Sequence, residues 1–152
     1  MVKASAPGKC ILFGEHAVVY GQPALACSIS QRMSIELEVE ETFDTWRLDG
    51  RTFNPKKHPH IDYLRKQLPP IEEQPIHIRI RGSIPKASGL GSSAALSVAL
   101  CGALQQLRGE DLSPMEASEL SHQAEANAQG GRASPMDLSL IHISEPTRLA
   151  WI

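Results

Sequence analysis

Two segments of the chain alternate apolar and polar residues with the period of a half-buried β-strand. In SIELEVE, residues 34–40, and in PIHIRIRG, residues 75–82, an aliphatic side chain stands at every second position. A shorter apolar run, KCILFG, ends at Gly14, and Asp49-Gly50 in TWRLDGRTF is a strong signal for a β-hairpin. These patterns predict that the first part of the chain is rich in β-structure.

Three later segments have helical signals instead. The first is a helix over 61–68, which the two prolines that follow it end. A second helix begins at Ser92, and a third follows Ser113, which forms a capping box with Glu116 and precedes a proline at the first helical position. The second helix carries apolar residues with a period of about 3.6: Leu96, Leu100, Ala103, Leu104 and Leu107. Strands followed by helices, without regular βαβ alternation, predict an α+β fold.

Composition narrows the class of protein. The chain has 152 residues, a net charge of −2 and 41% apolar residues, and no apolar run approaches the ~20 residues of a membrane span. The near-neutral charge gives no electrostatic signature of a nucleic-acid partner. The first ten residues are not followed by the apolar region of a secretory signal. We therefore expect no nucleic-acid partner and no membrane association.

Cysteine and histidine usage gives no metal or disulfide signature. Cys10, Cys27 and Cys101 are widely separated and form no C-x-x-C motif, which favours reduced thiols in a cytoplasmic protein. His58 and His60 in HPH have no acidic or cysteine residues beside them in the sequence. A metal site needs more ligands than this pair supplies, so both are predicted to be loop residues.

The segment KASGLGSSAALS, residues 86–97, places glycines and paired serines directly before a predicted helix. It is not a Walker-type P-loop, because the chain's Gly-Lys pair, Gly8-Lys9, is followed by cysteine and has no glycine at the required upstream position. Residues 89–94 match G-x-G-x-x-[GA], but the strand and the acidic residue that should follow in a dinucleotide-binding unit are missing. That match is weak.

Two interpretations of this segment remain. In the first, Gly89 and Gly91 let the backbone approach an anion, which the first amide groups of the helix and the two serine hydroxyls bind. The second is a capped helix after a glycine turn, for which Ser92 alone would suffice. The Gly-x-Gly spacing and the second serine exceed what capping requires, which favours the anion site.

Three segments in order give the chain a family resemblance. SAPGKCILFGEHAVVYG, PKASGLGSSAALS and GGRASPMD resemble the first motif, the second motif and the catalytic-aspartate segment of the GHMP small-molecule kinases. The resemblance covers Val2 to Asp137. It implies the N-terminal domain of that family, an α+β fold of the ribosomal protein S5 domain 2-like type. GEHAVVYG is similar to the form found in members that phosphorylate mevalonate, and GRASPMD resembles archaeal-type members.

The resemblance also implies a nucleotide site. Gly89, Gly91 and Ser92 would line the phosphates of ATP, and Ser93 would coordinate Mg²⁺. A glutamate of the preceding helix completes the metal site in the family; Glu125 is the candidate, although the chain has one extra residue between it and Asp137. The implied ATP-binding segment comprises Pro85, Lys86, Ala87, Ser88, Gly89, Leu90, Gly91, Ser92, Ser93 and Ala94.

The remaining implied roles concern the alcohol substrate. Asp137 would take or orient the proton of the substrate hydroxyl, with Lys9 beside it. Glu15 and His16 fall where the family recognises mevalonate, and Ser134 belongs to the segment around the reacting hydroxyl. The implied partner is thus a small molecule, and the full-length protein could form a homodimer.

The end of the chain departs from the family. Residues 138–148, LSLIHISEPTR, resemble the translation of a sequencing-library adapter read in frame. We therefore expect a family domain over 1–137 and a non-native tail over 138–152, although LSLIHI also alternates like an ordinary strand. The family's third glycine-rich motif and C-terminal domain are absent, so we expect the chain alone to be inactive.

Two other functions stay open at this stage. One is another GHMP kinase, acting on phosphomevalonate, homoserine or a sugar. The other is a metabolite-binding relative without catalytic activity, which would typically have lost the lysine or the aspartate. The presence of Lys9, Ser93 and Asp137 disfavours the second.

Overall fold

The computed structural model describes residues 1–17, 20–40, 42, 44–69, 74–85, 88–109, 113–128, 130 and 149–151. The described part contains nine elements in chain order, listed here with their bounds: β1 (Val2–Phe13), β2 (Leu25–Val39), β3 (Arg47–Leu48), β4 (Arg51–Thr52), α1 (Pro59–Gln67), β5 (Ile76–Gly82), α2 (Ser92–Arg108), α3 (Pro114–Ala128) and β6 (Leu149–Trp151). Each helix in these ranges is too short or too polar to cross a bilayer.

The described strands form one mixed sheet with the order β1-β2-β5-β3-β4. The pairs β1–β2 and β2–β5 are antiparallel, whereas β3 and β5 are parallel. Helix α2 packs on β1 and β2, and α3 packs on both α2 and α1. The predicted α+β class is confirmed.

The alternating segments are strands, as predicted. Ile35 and Leu37 of β2 and Ile78 of β5 are fully buried between the sheet and the helices. Leu37 lies directly opposite Ile78 across the β2–β5 pair, so the two alternating patterns bury the same face of the sheet. Asp49 and Gly50 both have positive φ and connect β3 to β4, which confirms the predicted hairpin.

The helices are also confirmed, with two differences at their starts. Helix α1 begins at Pro59, two residues before the predicted start, so the prediction that His60 is a loop residue is wrong. Helix α2 has Gly91 as its N-cap, with φ +70° and no capping side chain. Ser92 is therefore the first helical residue rather than the cap, and the interpretation of the segment as a serine-capped helix is wrong.

The predicted tail lies mostly outside the described residues. Residues 149–151 form β6, which pairs antiparallel with β2 at Leu25–Cys27. The alternating segment LSLIHI falls outside the described ranges. The division into residues 1–137 and 138–152 therefore stays a prediction. The three cysteines are free thiols, as expected.

Candidate active site

The glycine-serine turn places two serines at the start of a buried helix. Gly91 adopts φ +70°, a left-handed conformation that glycine tolerates best, and turns the chain into α2. Ser92 and Ser93 follow in the first helical turn, where backbone N–H groups have no partner within the helix. The positive end of the helix dipole and these N–H groups together favour an anion at this point.

Glu125 of α3 reaches this helix start. Its side chain is buried, and its Oε1 accepts hydrogen bonds from Ser93 Oγ at 2.5 Å and from Ser97 Oγ at 3.3 Å. The two serines are four residues apart, so they lie on one face of α2. The structure thus brings together Ser93 and Glu125, the two residues named above as metal ligands.

His60 is a third member of this cluster, and the sequence analysis missed it. Its Nε2 lies 3.0 Å from Glu125 Oε1 and 2.8 Å from Ser93 Oγ. A signal was present in the sequence, because His60 stands four residues before Leu64, a spacing that puts both on one face of a helix beginning at Pro59. We call Ser93, Glu125 and His60 the three-helix cluster.

The cluster keeps the Glu125 carboxyl ionised. Burial raises the pKa of this group, but the hydrogen bonds from His60 and Ser93 and the charge of the His60 ring lower it by more. The pKa of Glu125 therefore lies below its ordinary value. The ionised carboxylate lies at the start of α2, where its oxygens can bind a cation.

Lys9 connects the first sequence motif to the glycine-serine turn. The backbone N–H of Lys9 donates to the carbonyl of Leu90 at 3.0 Å, and the Lys9 side chain is buried. A Cβ atom at Gly91 would lie 2.9 Å from Cγ of Lys9, and one at Gly8 would lie 2.8 Å from the Leu90 carbonyl oxygen. Glycine at both positions lets the two segments pack this closely.

Ser28 adds a buried hydroxyl beside Lys9. The two residues are direct partners across the β1–β2 pair, so their side chains share a face of the sheet. Within the described residues, Ser28 Oγ has no hydrogen-bond partner. A buried hydroxyl without a partner is costly, so a polar ligand next to Lys9 would satisfy it.

Other predicted site residues lie apart from this cluster or outside the described residues. Glu15 and His16 occupy the turn after β1, with both side chains exposed. Ser88 Oγ donates to the Pro85 carbonyl at 2.8 Å and closes the turn before Gly89. The positions outside the described ranges are Lys86, Ala87, Ser134 and Asp137.

A cleft of about 540 Å³ opens beside the two serines. It lies between the starts of α1 and α2 and strands β2, β3 and β5, and its walls combine apolar and polar side chains. Among them are His58, Ile80, Ile84, Ser92, Ser93 and Leu96. A ligand with a polar end and a less polar body would fit this combination.

The donor set of the cluster fits magnesium. Mg²⁺ prefers oxygen ligands and is typically held by one or two carboxylates together with waters and substrate phosphates. Ser93 Oγ and Glu125 Oε1 are two such oxygens, at the helix end that favours phosphate. No group of three or more histidine, cysteine or acidic side chains suited to a metal occurs in the described ranges, so the phosphates and waters would have to complete the shell.

Comparison with known proteins identifies the family. The model of the family described as "GHMP kinases N terminal domain" matches residues 57–143, which is more than half of the chain. The chain is 42% identical over 141 residues to a mevalonate kinase of Methanothermobacter thermautotrophicus, covering 90% of this chain and 46% of that protein. It is 35% identical over 152 residues to a mevalonate kinase of Thermococcus sibiricus, covering 85% and 46%. The chain thus spans about half the length of these curated relatives.

A solved structure agrees with the sequence matches. The crystal structure of the Methanococcus jannaschii mevalonate kinase superposes with a TM-score of 0.80 at 25% identity, over 97% of this chain and 54% of that one. The family predicted from the three sequence motifs is therefore confirmed. With the family model matching more than half of its length, the chain belongs to the GHMP kinases N-terminal domain family.

Proposed function

We propose that this chain is the N-terminal half of an ATP-dependent kinase that phosphorylates mevalonate to 5-phosphomevalonate in isoprenoid biosynthesis. The observation that carries the proposal is the contact between Ser93 Oγ and Glu125 Oε1, 2.5 Å apart at the start of α2. This contact supports the proposal because it joins two oxygens of the kind that Mg²⁺ prefers at a helix end that favours phosphate. The two relatives named as mevalonate kinases support the choice of substrate.

The nucleotide binds across the start of α2. Residues 85–94 surround the phosphates, with the glycines allowing close approach of the backbone. The helix dipole alone contributes only about 0.3–1 kcal/mol, so several N–H groups and the serine hydroxyls must act together. The neighbouring cleft of about 540 Å³ accommodates the nucleoside.

Ser93 and Glu125 hold the magnesium ion of the nucleotide. When bound, the ion supplies charge neutralisation to the phosphate oxygens. The low pKa of Glu125 suits this role, because the carboxylate is already ionised before a cation arrives.

Lys9 and Asp137 act on the alcohol. The substrate hydroxyl oxygen attacks the γ-phosphorus, its proton passes to Asp137, and ADP leaves with the electrons of the broken P–O bond. The positive charge of Lys9 keeps Asp137 ionised and stabilises negative charge that develops on the alcohol oxygen. Glu15 and His16 recognise mevalonate, and Ser134 belongs to the segment around the reacting hydroxyl. The reaction takes place in the cytoplasm, where ATP is present and the three free thiols stay reduced.

The test uses the complete protein, by which we mean the reading frame continued through the C-terminal half that the curated relatives carry. The purified protein is incubated with ATP and Mg²⁺ and with mevalonate, phosphomevalonate, homoserine or galactose in turn. We expect the complete protein to phosphorylate mevalonate. Its Ser93→Ala variant should give no product above background, and the 152-residue chain alone should give no product.

Each alternative has its own outcome in that experiment. Product from homoserine or galactose but not from mevalonate would overturn the choice of substrate while leaving a kinase. Binding of mevalonate without turnover of any alcohol would indicate a metabolite-binding protein. Turnover by the 152-residue chain would refute the proposal that the chain is only half of the enzyme.

A further inference from the structure

Three helices each contribute one side chain to the three-helix cluster. His60 comes from α1, Ser93 from α2 and Glu125 from α3, and their polar atoms form a triangle with sides of 2.5, 2.8 and 3.0 Å. We propose that His60 is a positioning residue, whose ring holds the Glu125 carboxylate and the Ser93 hydroxyl in the arrangement that receives the metal–nucleotide complex. The inference rests on the proposed function, because that function assigns the metal to Ser93 and Glu125.

The position of His60 is fixed by its own helix. Pro59 stands in the first turn of α1, and the buried Ile61 and Leu64 anchor the helix to the core. One turn after His60, Tyr63 donates its hydroxyl to Gln123 of α3 at 2.8 Å. Packing of Ile61 and Leu64 therefore fixes the start of α1, and with it the position of the imidazole beside Glu125, whereas the Tyr63 hydrogen bond adds to the docking of α1 on α3 one turn away.

A fixed neighbour such as His60 lets the Glu125 side chain be ordered before a cation binds. A glutamate side chain has several rotatable bonds, and ordering it at the moment of binding would cost part of the binding free energy. In this structure three groups, His60, Ser93 and Ser97, converge on a single oxygen, Oε1. A carboxylate that is already ordered loses less entropy when a cation binds.

His60 also forms a hydrogen bond with the Ser93 hydroxyl. A serine hydroxyl has one proton to donate and two lone pairs to offer. If one lone pair binds a cation, the hydroxyl proton stays on its bond to Glu125 Oε1, and the N–H at His60 Nε2, 2.8 Å away, is within reach to donate to the other lone pair. A glutamine at position 60 would place both an acceptor and a donor at a comparable distance along its side chain, whereas a leucine would provide neither.

The experiment measures metal binding rather than turnover. The complete protein and its His60→Leu and His60→Gln variants are titrated with Mn²⁺, a paramagnetic substitute for Mg²⁺, in the presence of a non-hydrolysable ATP analogue. Bound Mn²⁺ is quantified by electron paramagnetic resonance. We expect His60→Leu to weaken Mn²⁺ affinity by about 10–100-fold, as loss of a group that orients metal ligands typically does, and His60→Gln to restore most of it.

A matched control distinguishes the contacts of the His60 ring with Glu125 and Ser93 from the packing of α1 against α3 as a whole. Tyr63→Phe removes the hydrogen bond to Gln123 but leaves His60 in place. We expect its Mn²⁺ affinity to stay within about twofold of the unsubstituted protein, well short of the loss expected for an orienting group. The thermal unfolding midpoint of every variant shows that the compared proteins are folded at the temperature of the titration.

The outcomes distinguish this inference from the proposed function. If the unsubstituted protein binds no Mn²⁺–nucleotide, the metal site and the role of His60 both fail. If it binds normally and His60→Leu binds equally well or more tightly, the metal site stands and only the role of His60 is overturned. If His60→Leu and His60→Gln lose affinity equally while folded, hydrogen bonding by residue 60 is not the cause, and the positioning role is overturned.

Discussion

The centre of the sheet and the junction of the three helices are both buried, yet they are built from different side chains. In the sheet, large aliphatic residues such as Ile35, Leu37 and Ile78 have no exposed surface. Around the three-helix cluster, the buried residues of α2 and α3 include small and polar ones: Ala94, Ala95, Ser97, Ser121, Ala124 and Glu125. The same degree of burial therefore produces an apolar core in one region and a polar cluster in the other.

This difference has an energetic meaning. Burying an aliphatic side chain stabilises the fold by about 1.5–3 kcal/mol. A buried carboxylate is costly unless hydrogen bonds compensate it, and even a compensated buried ion often stabilises a fold no more than packed apolar side chains would. Glu125 and its hydrogen-bonding partners are thus expected to contribute little to the free energy of unfolding. Their presence at the start of α2 agrees with the proposed role in binding a metal–nucleotide complex. The buried aliphatic side chains of the sheet, rather than the polar cluster, therefore stabilise the fold.

The largest expected effect is on the sheet side of this comparison. Ile78→Ala removes a fully buried side chain that lies opposite Leu37, and it leaves a cavity. We expect the free energy of unfolding to fall by about 2–5 kcal/mol, measured by urea denaturation. The affinity of the folded protein for Mn²⁺–nucleotide should not change. A parallel loss of affinity would show that the two regions are not separable.

The reverse pattern is expected on the helix side. Glu125→Gln keeps the shape of the side chain and its ability to accept from the two serines, but removes the negative charge. We expect the rate of phosphoryl transfer by the complete protein to fall on the order of 10²–10³-fold, comparable to the loss of one electrostatic contact in other active sites. The free energy of unfolding should change by no more than about 1 kcal/mol.

Glu119 offers a matched control on the same helix. It is exposed on α3, where its Oε1 accepts from Gln123, so Glu119→Gln removes a charge of the same type outside the cluster. Its rate should equal that of the unsubstituted protein. If Glu119→Gln lost activity as strongly as Glu125→Gln, the net charge of α3 rather than the position of Glu125 would be responsible.

The sheet was largely predictable from the sequence because its signal is local. Alternation places Ile35 and Leu37 on one face whatever the rest of the chain does. The start of β1 was less predictable: the strand begins at Val2, well before the apolar run KCILFG, since pairing with β2 extends it through Ala6 and Pro7. Tertiary pairing of this kind leaves no periodic pattern in the strand's own sequence.

The cluster at the helix junction was predictable only in part. Ser93 and Glu125 were named from a resemblance, and the extra residue before Asp137 placed Glu125 in doubt. Helix α3 ends at Ala128, before the segment QGGRAS that contains the extra residue, so the position of Glu125 on the helix is unaffected. His60 was missed because α1 was predicted to begin at Ile61. A two-residue difference at a helix start moved a site residue out of the helix, and helix starts are the least reliable part of such predictions.

The smallest expected effect tests the connection between the two regions, at the glycine-serine turn. Gly91 and Gly89 have nearly equal positive φ values, +70° and +74°, so alanine introduces similar backbone strain at either position. They differ in what the added Cβ would meet. At Gly91 it would lie 2.9 Å from Cγ of Lys9, whereas nothing lies within 4 Å at Gly89.

Gly91→Ala should therefore displace the Lys9 side chain of β1 relative to Ser93 at the start of α2. We expect the rate of phosphoryl transfer to fall by about tenfold more in Gly91→Ala than in Gly89→Ala, a modest share of what misplacing a reacting group by about 1 Å can cost. Steady-state kinetics of both variants measure the difference in rate. Their thermal unfolding midpoints show whether the two substitutions destabilise the fold equally. Equal losses would mean that backbone strain alone governs the turn and that the position of Lys9 does not depend on the missing Cβ at residue 91.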